Sequence, residues 1–158
     1  MRVEIVSLTR NNFHSIVTMV WEIMHGEHPD YKRSEAEKIV RDNGDRVVAL
    51  EVNSEVAAFY IYTETPMVYN LNFFGISPLF RKTKMAYRFY KYMLNHLSKK
   101  PIIISIYSDN KDMINLASKK WNFIGRFPAR DNKIIEYYSI GDKGAGSETG
   151  HSRYHLDK

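Results

Sequence analysis

The chain has 158 residues, 44% of them hydrophobic and 26% charged, which is enough for one ordinary domain with a core and excludes a disordered polar chain. It contains no cysteine, which rules out disulfides, thiolate metal sites and cysteine nucleophiles and fits a reducing, intracellular compartment. The formal net charge of +5 favours an acidic partner, whether a nucleotide cofactor, nucleic acid or another protein, and no apolar run approaches the roughly 20 residues that span a bilayer.

The start, "MRVEIVSLTRNN", carries Glu4 inside its apolar stretch and lacks a small-residue cleavage site, so no signal peptide is expected there. Residues 3–8 alternate as a first strand. Asn11 or Asn12 is placed to cap a helix over about 13–24, whose Ile16, Val17, Val20, Trp21 and Met24 recur at helical spacing. Ser34 with Glu37 predicts a capping box and a short helix over 35–42. Residues 46–52 and 56–63 read as two strands of a hairpin turning at Asn53–Ser54, and 67–76 as a third strand after Pro66. A long helix follows over about 82–98, with Met85, Phe89, Met93 and Leu97 as its apolar stripe and Arg88, Lys91 and Asn95 on the other side. Pro101 opens "PIIISIY", a run expected of a strand covered on both faces. A helix capped by Ser108 or Asp109 and two closing strands around "PARDN" complete the order.

That order, β-α-α-β-β-β-α-β-α-β-β, predicts an α/β fold with helices on both faces of a central sheet over residues 1–140. The segment 141–158 is rich in Gly and polar residues, lacks apolar periodicity and is expected to be a flexible tail. Its His151 and His155 have the i, i+4 spacing of a metal pair, but in such a composition no metal site is expected. Trp21 and Trp121 are expected in or at the edge of the core.

The segment "GISPLFRKTKMA" places Arg81, Lys82 and Lys84 between a strand and a helix, where the helix dipole is already positive. Free amides at a helix start attract phosphate, and cations there suit a bound anion. The helix 82–97 also interleaves basic and aromatic residues, but its aromatics sit at the spacing of the buried stripe, so packing is expected of them rather than nucleic-acid stacking.

The element order, the strand–loop–helix at 67–98 and the segment "SDN…NLASKKWNF" together resemble the GCN5-related N-acetyltransferase (GNAT) family over about residues 1–140. The resemblance implies the acyl-CoA N-acyltransferase fold, a mixed and mostly antiparallel sheet with helices on both faces. The implied activity is transfer of an acetyl group from acetyl-CoA to an amine of a small molecule or protein. In the family motif Q/R-x-x-G-x-G/A, Arg81 and Ala86 match the first and last positions, and Lys84 stands where glycine is expected. By that motif Arg81, Lys82, Thr83, Lys84, Met85 and Ala86 would hold the pyrophosphate. Phe74, Gly75 and Ile76 would pair with the pantetheine arm, and Asn110 would fix its far end or the loop. Ala117 stands where the family often has a tyrosine acid, and the strand 67–76 carries no carboxylate, which leaves Tyr69 and Glu64 as the candidate acid and base. The resemblance implies no metal, a cytoplasmic location and, beside the amine acceptor, a protein partner or homo-oligomer. A fainter resemblance joins the basic helix and weakened motif to small tailed-phage proteins with an eroded acetyltransferase-like scaffold. That resemblance implies an assembly role, in a virion or host cytoplasm.

Overall fold

The computed structural model describes residues 1–140; the predicted tail and its histidine pair lie outside the described residues. The elements are β1 (Val3–Ser7), α1 (Phe13–Glu27), α2 (Arg33–Asp42), β2 (Val47–Val52), β3 (Glu55–Glu64), β4 (Tyr69–Ile76), α3 (Lys84–His96), β5 (Ile102–Tyr107), α4 (Lys111–Lys120), β6 (Asn122–Pro128) and β7 (Ile134–Ile140). The strands follow one another across a sheet in the order β1-β2-β3-β4-β5-β7-β6. The β4–β5 pair is parallel and the β1–β2, β2–β3, β5–β7 and β6–β7 pairs are antiparallel, so the sheet is mixed, as expected. Two compact units divide the described residues, 1–63 with 72–95, and 64–71 with 96–140.

In the first unit β3 is buried on both sides. Phe59 and Ile61 join Ile16, Val17 and Val20 of α1 and Ala36 and Val40 of α2 in one core. Their alternating neighbour Tyr60 lies 5.4 Å from Phe89 of α3 and stacks on Phe74 at 6.3 Å. The period of two thus gives one face of β3 to α1 and α2 and the other to α3. The hairpin turns where predicted, with Asn53 and Ser54 both at positive φ (52° and 70°), the left-handed pair a two-residue turn between twisted strands requires.

Local capping departs from the sequence reading. Asn12 does not cap α1 with its side chain. Its Oδ1 accepts from the Thr9 amide at 2.7 Å and its Nδ2 donates to the Ser7 carbonyl and to Glu51 on β2. A buried amide that can reach a carboxylate on a neighbouring strand satisfies more of its hydrogen-bonding groups there than at a helix end. The α2 helix starts at Arg33, so Ser34 lies inside it, and Glu35 accepts from the Lys32 amide at 2.9 Å. Of the α3 stripe, Phe89, Met93 and Leu97 are buried with Ala86, whereas Met85 is only half-buried.

In the second unit β5 pairs with β4 over Tyr69↔Ile102 to Leu71↔Ile104, and with β7 along its length. Only Ile102 and Ile106 of β5 are buried and Ser105 is exposed, so the strand is not covered on both faces as expected. The cap of α4 is Asn110, not Ser108 or Asp109; its Oδ1 accepts from the Met113 amide at 3.4 Å. Trp121, at the end of α4, is buried, and Trp21 of α1 packs partly buried against the first unit's core.

Candidate active site

Between β4 and α3 the chain is shaped by its own short-range bonds. The Ser77 amide donates to the Ala57 carbonyl, prolonging the pairing of β4 past Ile76, and Pro78–Phe80 forms a single 3-10 turn. Lys82 then takes a left-handed backbone conformation (φ 61°) without being glycine, a strained geometry that reverses the chain into α3. Thr83 is the N-cap. Its hydroxyl donates to the Phe80 carbonyl at 2.6 Å and accepts from the Ala86 amide at 3.2 Å, while its carbonyl accepts from the Tyr87 amide. The cap therefore satisfies the third amide of the helix, and the amides of Lys84 and Met85 have no hydrogen-bond partner among the described residues. Arg81 donates from Nε to the Ile76 carbonyl at 3.0 Å, which pins the guanidinium beside the end of β4. The side chains of Arg81, Lys82 and Lys84 are all exposed.

Beside this loop the first unit holds a cavity of about 420 Å³. One wall is the polar stripe Ser15, Thr18 and Glu22 of α1; the other runs from Gly75 and Ile76 to Arg81. Gly75 is demanded by packing, because a Cβ there would meet the Phe59 ring at 2.6 Å and Ile23 at 3.2 Å. Phe74, its neighbour, points to the opposite side of β4 and packs against Tyr60, Phe89 and Tyr90. Of the residues expected at a cofactor site, Gly75, Ile76 and the stretch Arg81–Ala86 thus meet within one unit at one strand–loop–helix junction.

The expected acid and base have other occupations. The Glu64 carboxylate is ion-paired with Lys100, which also donates to the Thr65 carbonyl at 2.7 Å and stands 5.3 Å over the ring of Tyr69. Tyr69 is buried. Asn110 serves as the α4 cap. Ala117 is fully buried, with no hydroxyl to donate. Two acidic residues escaped the sequence reading. Glu22 is one, and only its place in the cavity distinguishes it from a solvated acid on α1. The other is Glu136 of β7, 8% exposed, which accepts from Tyr138 Oη at 2.6 Å and from Arg126 Nε at 3.2 Å. Burial first, and then the bond to Glu136, push the Tyr138 hydroxyl up to about 12. Burial likewise raises the Tyr60 hydroxyl. No cluster of metal-ligating side chains occurs among the described residues, and no helix among them is long and apolar enough to cross a membrane.

No protein-family model and no curated protein matches the sequence. Solved structures do match it. An N-acetyltransferase from Staphylococcus aureus Mu50 superposes with a TM-score of 0.73 at 10% identity, over 87% of this chain and 100% of that one. A GNAT-family acetyltransferase from Bacillus cereus gives 0.65 at 18% identity, over 89% and 97%. The PaiA N-acetyltransferase from Thermoplasma acidophilum, solved in complex with coenzyme A, gives 0.60 at 12% identity, over 89% and 100%. The chain has the GNAT fold. The segment expected from sequence to correspond to the pyrophosphate motif, Arg81–Ala86, lies at this junction. Lys84 stands where that motif has glycine, and its amide and that of Met85 are among the helix-start amides the Thr83 cap does not satisfy.

Proposed function

We propose that the chain is an N-acetyltransferase that uses acetyl-CoA and acetylates an amine. The observation that carries this reading is the pair of amides at Lys84 and Met85, left without a partner among the described residues by the Thr83 cap and set beside Arg81 and Lys82. The residues fit a diphosphate. Two N–H groups at the positive end of a 13-residue helix are joined by cations, and ionic hydrogen bonds are about twice as strong as neutral ones. Lys84 adds charge at the position where glycine would give closer access.

Acetyl-CoA would supply the acetyl group as a thioester. Arg81 to Ala86 would hold its diphosphate, and Phe74 to Ile76 would align the pantetheine arm along β4. The acceptor amine would enter the cavity, where Glu22 attracts its ammonium form and receives the proton that must leave. The neutral nitrogen would then attack the carbonyl carbon; the C–N bond forms, the C–S bond breaks, the nitrogen gives its second proton to water, and the thiolate takes a proton from water in turn. Positioning within the cavity, with a backbone N–H of Gly75 or Ile76 polarising the carbonyl, would provide most of the acceleration. The base role falls to Glu22 because Glu64 is held by Lys100.

The test is a mass-spectrometric assay of the full chain with acetyl-CoA and a panel of amines, amino acids and peptides with free N-termini. A product heavier by one acetyl group, formed by the wild type and strongly reduced in Glu22→Gln, is the expected result. Absence of any acetylated product, together with absence of coenzyme A binding, would favour the assembly scaffold instead.

A further inference from the structure

Between Thr65 and Ser108 the sequence has no Asp or Glu, while it carries Arg81, Lys82, Lys84, Arg88, Lys91, Lys99 and Lys100. These are seven of the chain's 23 basic residues and none of its 18 acidic ones, so the remainder of the chain is net negative. The positive charge of the protein is therefore a local property. In the first unit it gathers on α3, where Lys84, Tyr87, Arg88 and Lys91 follow one another at i, i+3, i+4 and i+7, one stripe about 10 Å long. Lys84 and Arg88 are exposed and form no ion pair among the described residues. The stripe is not used in packing, because the core side of α3 is Ala86, Phe89 and Met93. The sequence expectation that its aromatics are consumed by the core holds for Phe89. Tyr87 and Tyr92 are instead 42% and 40% exposed, and Lys91 stands 5.8 Å over the Tyr87 ring.

We propose that this stripe of α3 is a docking surface for single-stranded nucleic acid, the cations on phosphates and Tyr87 on a base. Charge complementarity requires a polyanion. A protein partner fits less well, since the centres of protein interfaces are depleted in lysine and the stripe has no apolar centre. A membrane fits less well too, since the apolar side of α3 is spent on the core and cannot insert. A single strand offers base faces to an exposed ring, which a duplex withholds, and cations interleaved with aromatics are the pattern such sites use. Arg88 and Lys91 lie outside the Arg81–Ala86 loop, so the surface is separable from acetyl-CoA binding.

The experiment is fluorescence anisotropy of the full chain with a labelled single-stranded RNA of about 20 nucleotides, longer than the roughly 4–16 a compact site covers. It is run across salt concentrations, with polyglutamate and anionic phospholipid vesicles as competitors. The expected result is salt-dependent binding that Arg88→Glu/Lys91→Glu weakens at least about tenfold, with a logarithmic salt slope shallower by about 1.4. Tyr87→Ala should weaken it at least about fivefold for the single strand and leave duplex DNA unaffected. Lys119→Glu/Lys120→Glu on α4 makes the same charge change at exposed positions and should leave binding within about twofold. The proposal is overturned if the two double variants lose affinity equally, if Tyr87→Ala is silent, if no binding occurs at low salt, or if polyglutamate or vesicles displace the RNA from the stripe.

Discussion

A Cβ on residue 75 would lie 2.6 Å from Cε1 of Phe59, so the glycine at the end of β4 and the phenylalanine at the heart of the first core fit only as a pair. Phe59 itself is fully buried among α1 and β2 residues and cannot easily withdraw. Gly75→Ala should cost about 1–3 kcal/mol, the usual penalty for overpacking a filled core. A combined Gly75→Ala/Phe59→Leu should recover part of it. Denaturant unfolding of the three variants measures this, and additive losses would contradict a direct clash.

Thr83 joins the loop to α3 through two bonds of one hydroxyl. Thr83→Ala should destabilise the protein by about 1 kcal/mol, as caps generally do, whereas Thr83→Ser should be nearly neutral. Because the cap also fixes where the Lys84 and Met85 amides point, Thr83→Ala should weaken coenzyme A binding more than Thr83→Ser. Thermal melts with and without coenzyme A check both halves of the statement.

Glu22→Gln keeps size and polarity but cannot take a proton. The loss in kcat/KM should be about 100-fold, the lower range for a general base, with coenzyme A affinity unchanged. A similar loss in Glu64→Gln and none in Glu22→Gln would return the role to the carboxylate expected from sequence.

The buried pair Glu136–Tyr138, with the exposed Arg126 guanidinium beside it, predicts an alkaline transition. Tyr138 ionises near 12 in the folded chain and near 10 when unfolded. A raised pKa means that the neutral hydroxyl is favoured by folding, so its contribution is complete below pH 10 and is lost as pH rises from 10 to 12. Unfolding free energy should fall across that window, and Tyr138→Phe should flatten the fall. Removing the donor leaves the buried Glu136 carboxylate with one partner fewer, so the variant should also lose about 1–3 kcal/mol near neutral pH.

How far the sequence could be read depended on how local each cause was. The period of four in Phe89, Met93 and Leu97 and the turn at Asn53–Ser54 are set within a few residues, and both stand where expected. The junction at Arg81–Ala86 was visible for the same reason, since strand, cations and helix adjoin in sequence. Asn12 was misjudged because its partner, Glu51, is 39 residues away. Glu64 looked free until the chain brought Lys100 to it across 36 residues. Glu22 gave no sign in sequence, because an acid on the polar side of an amphipathic helix is what solvation alone would place there. Glu136 did give one, as a carboxylate within the apolar strand "KIIEYYSI". Its pairing with Arg126, though, depends on the β6–β7 register, which no single strand encodes.

The central claim is that the Lys84 and Met85 amides and the Arg81 guanidinium seat a diphosphate. Isothermal calorimetry of the full chain with coenzyme A tests it most directly. The account predicts a micromolar dissociation constant, weakened about tenfold or more (about 1.4 kcal/mol) in Arg81→Ala and in Lys84→Glu, and unchanged in Arg88→Glu/Lys91→Glu. Absence of binding, or binding that Arg81→Ala and Lys84→Glu leave untouched, would contradict it.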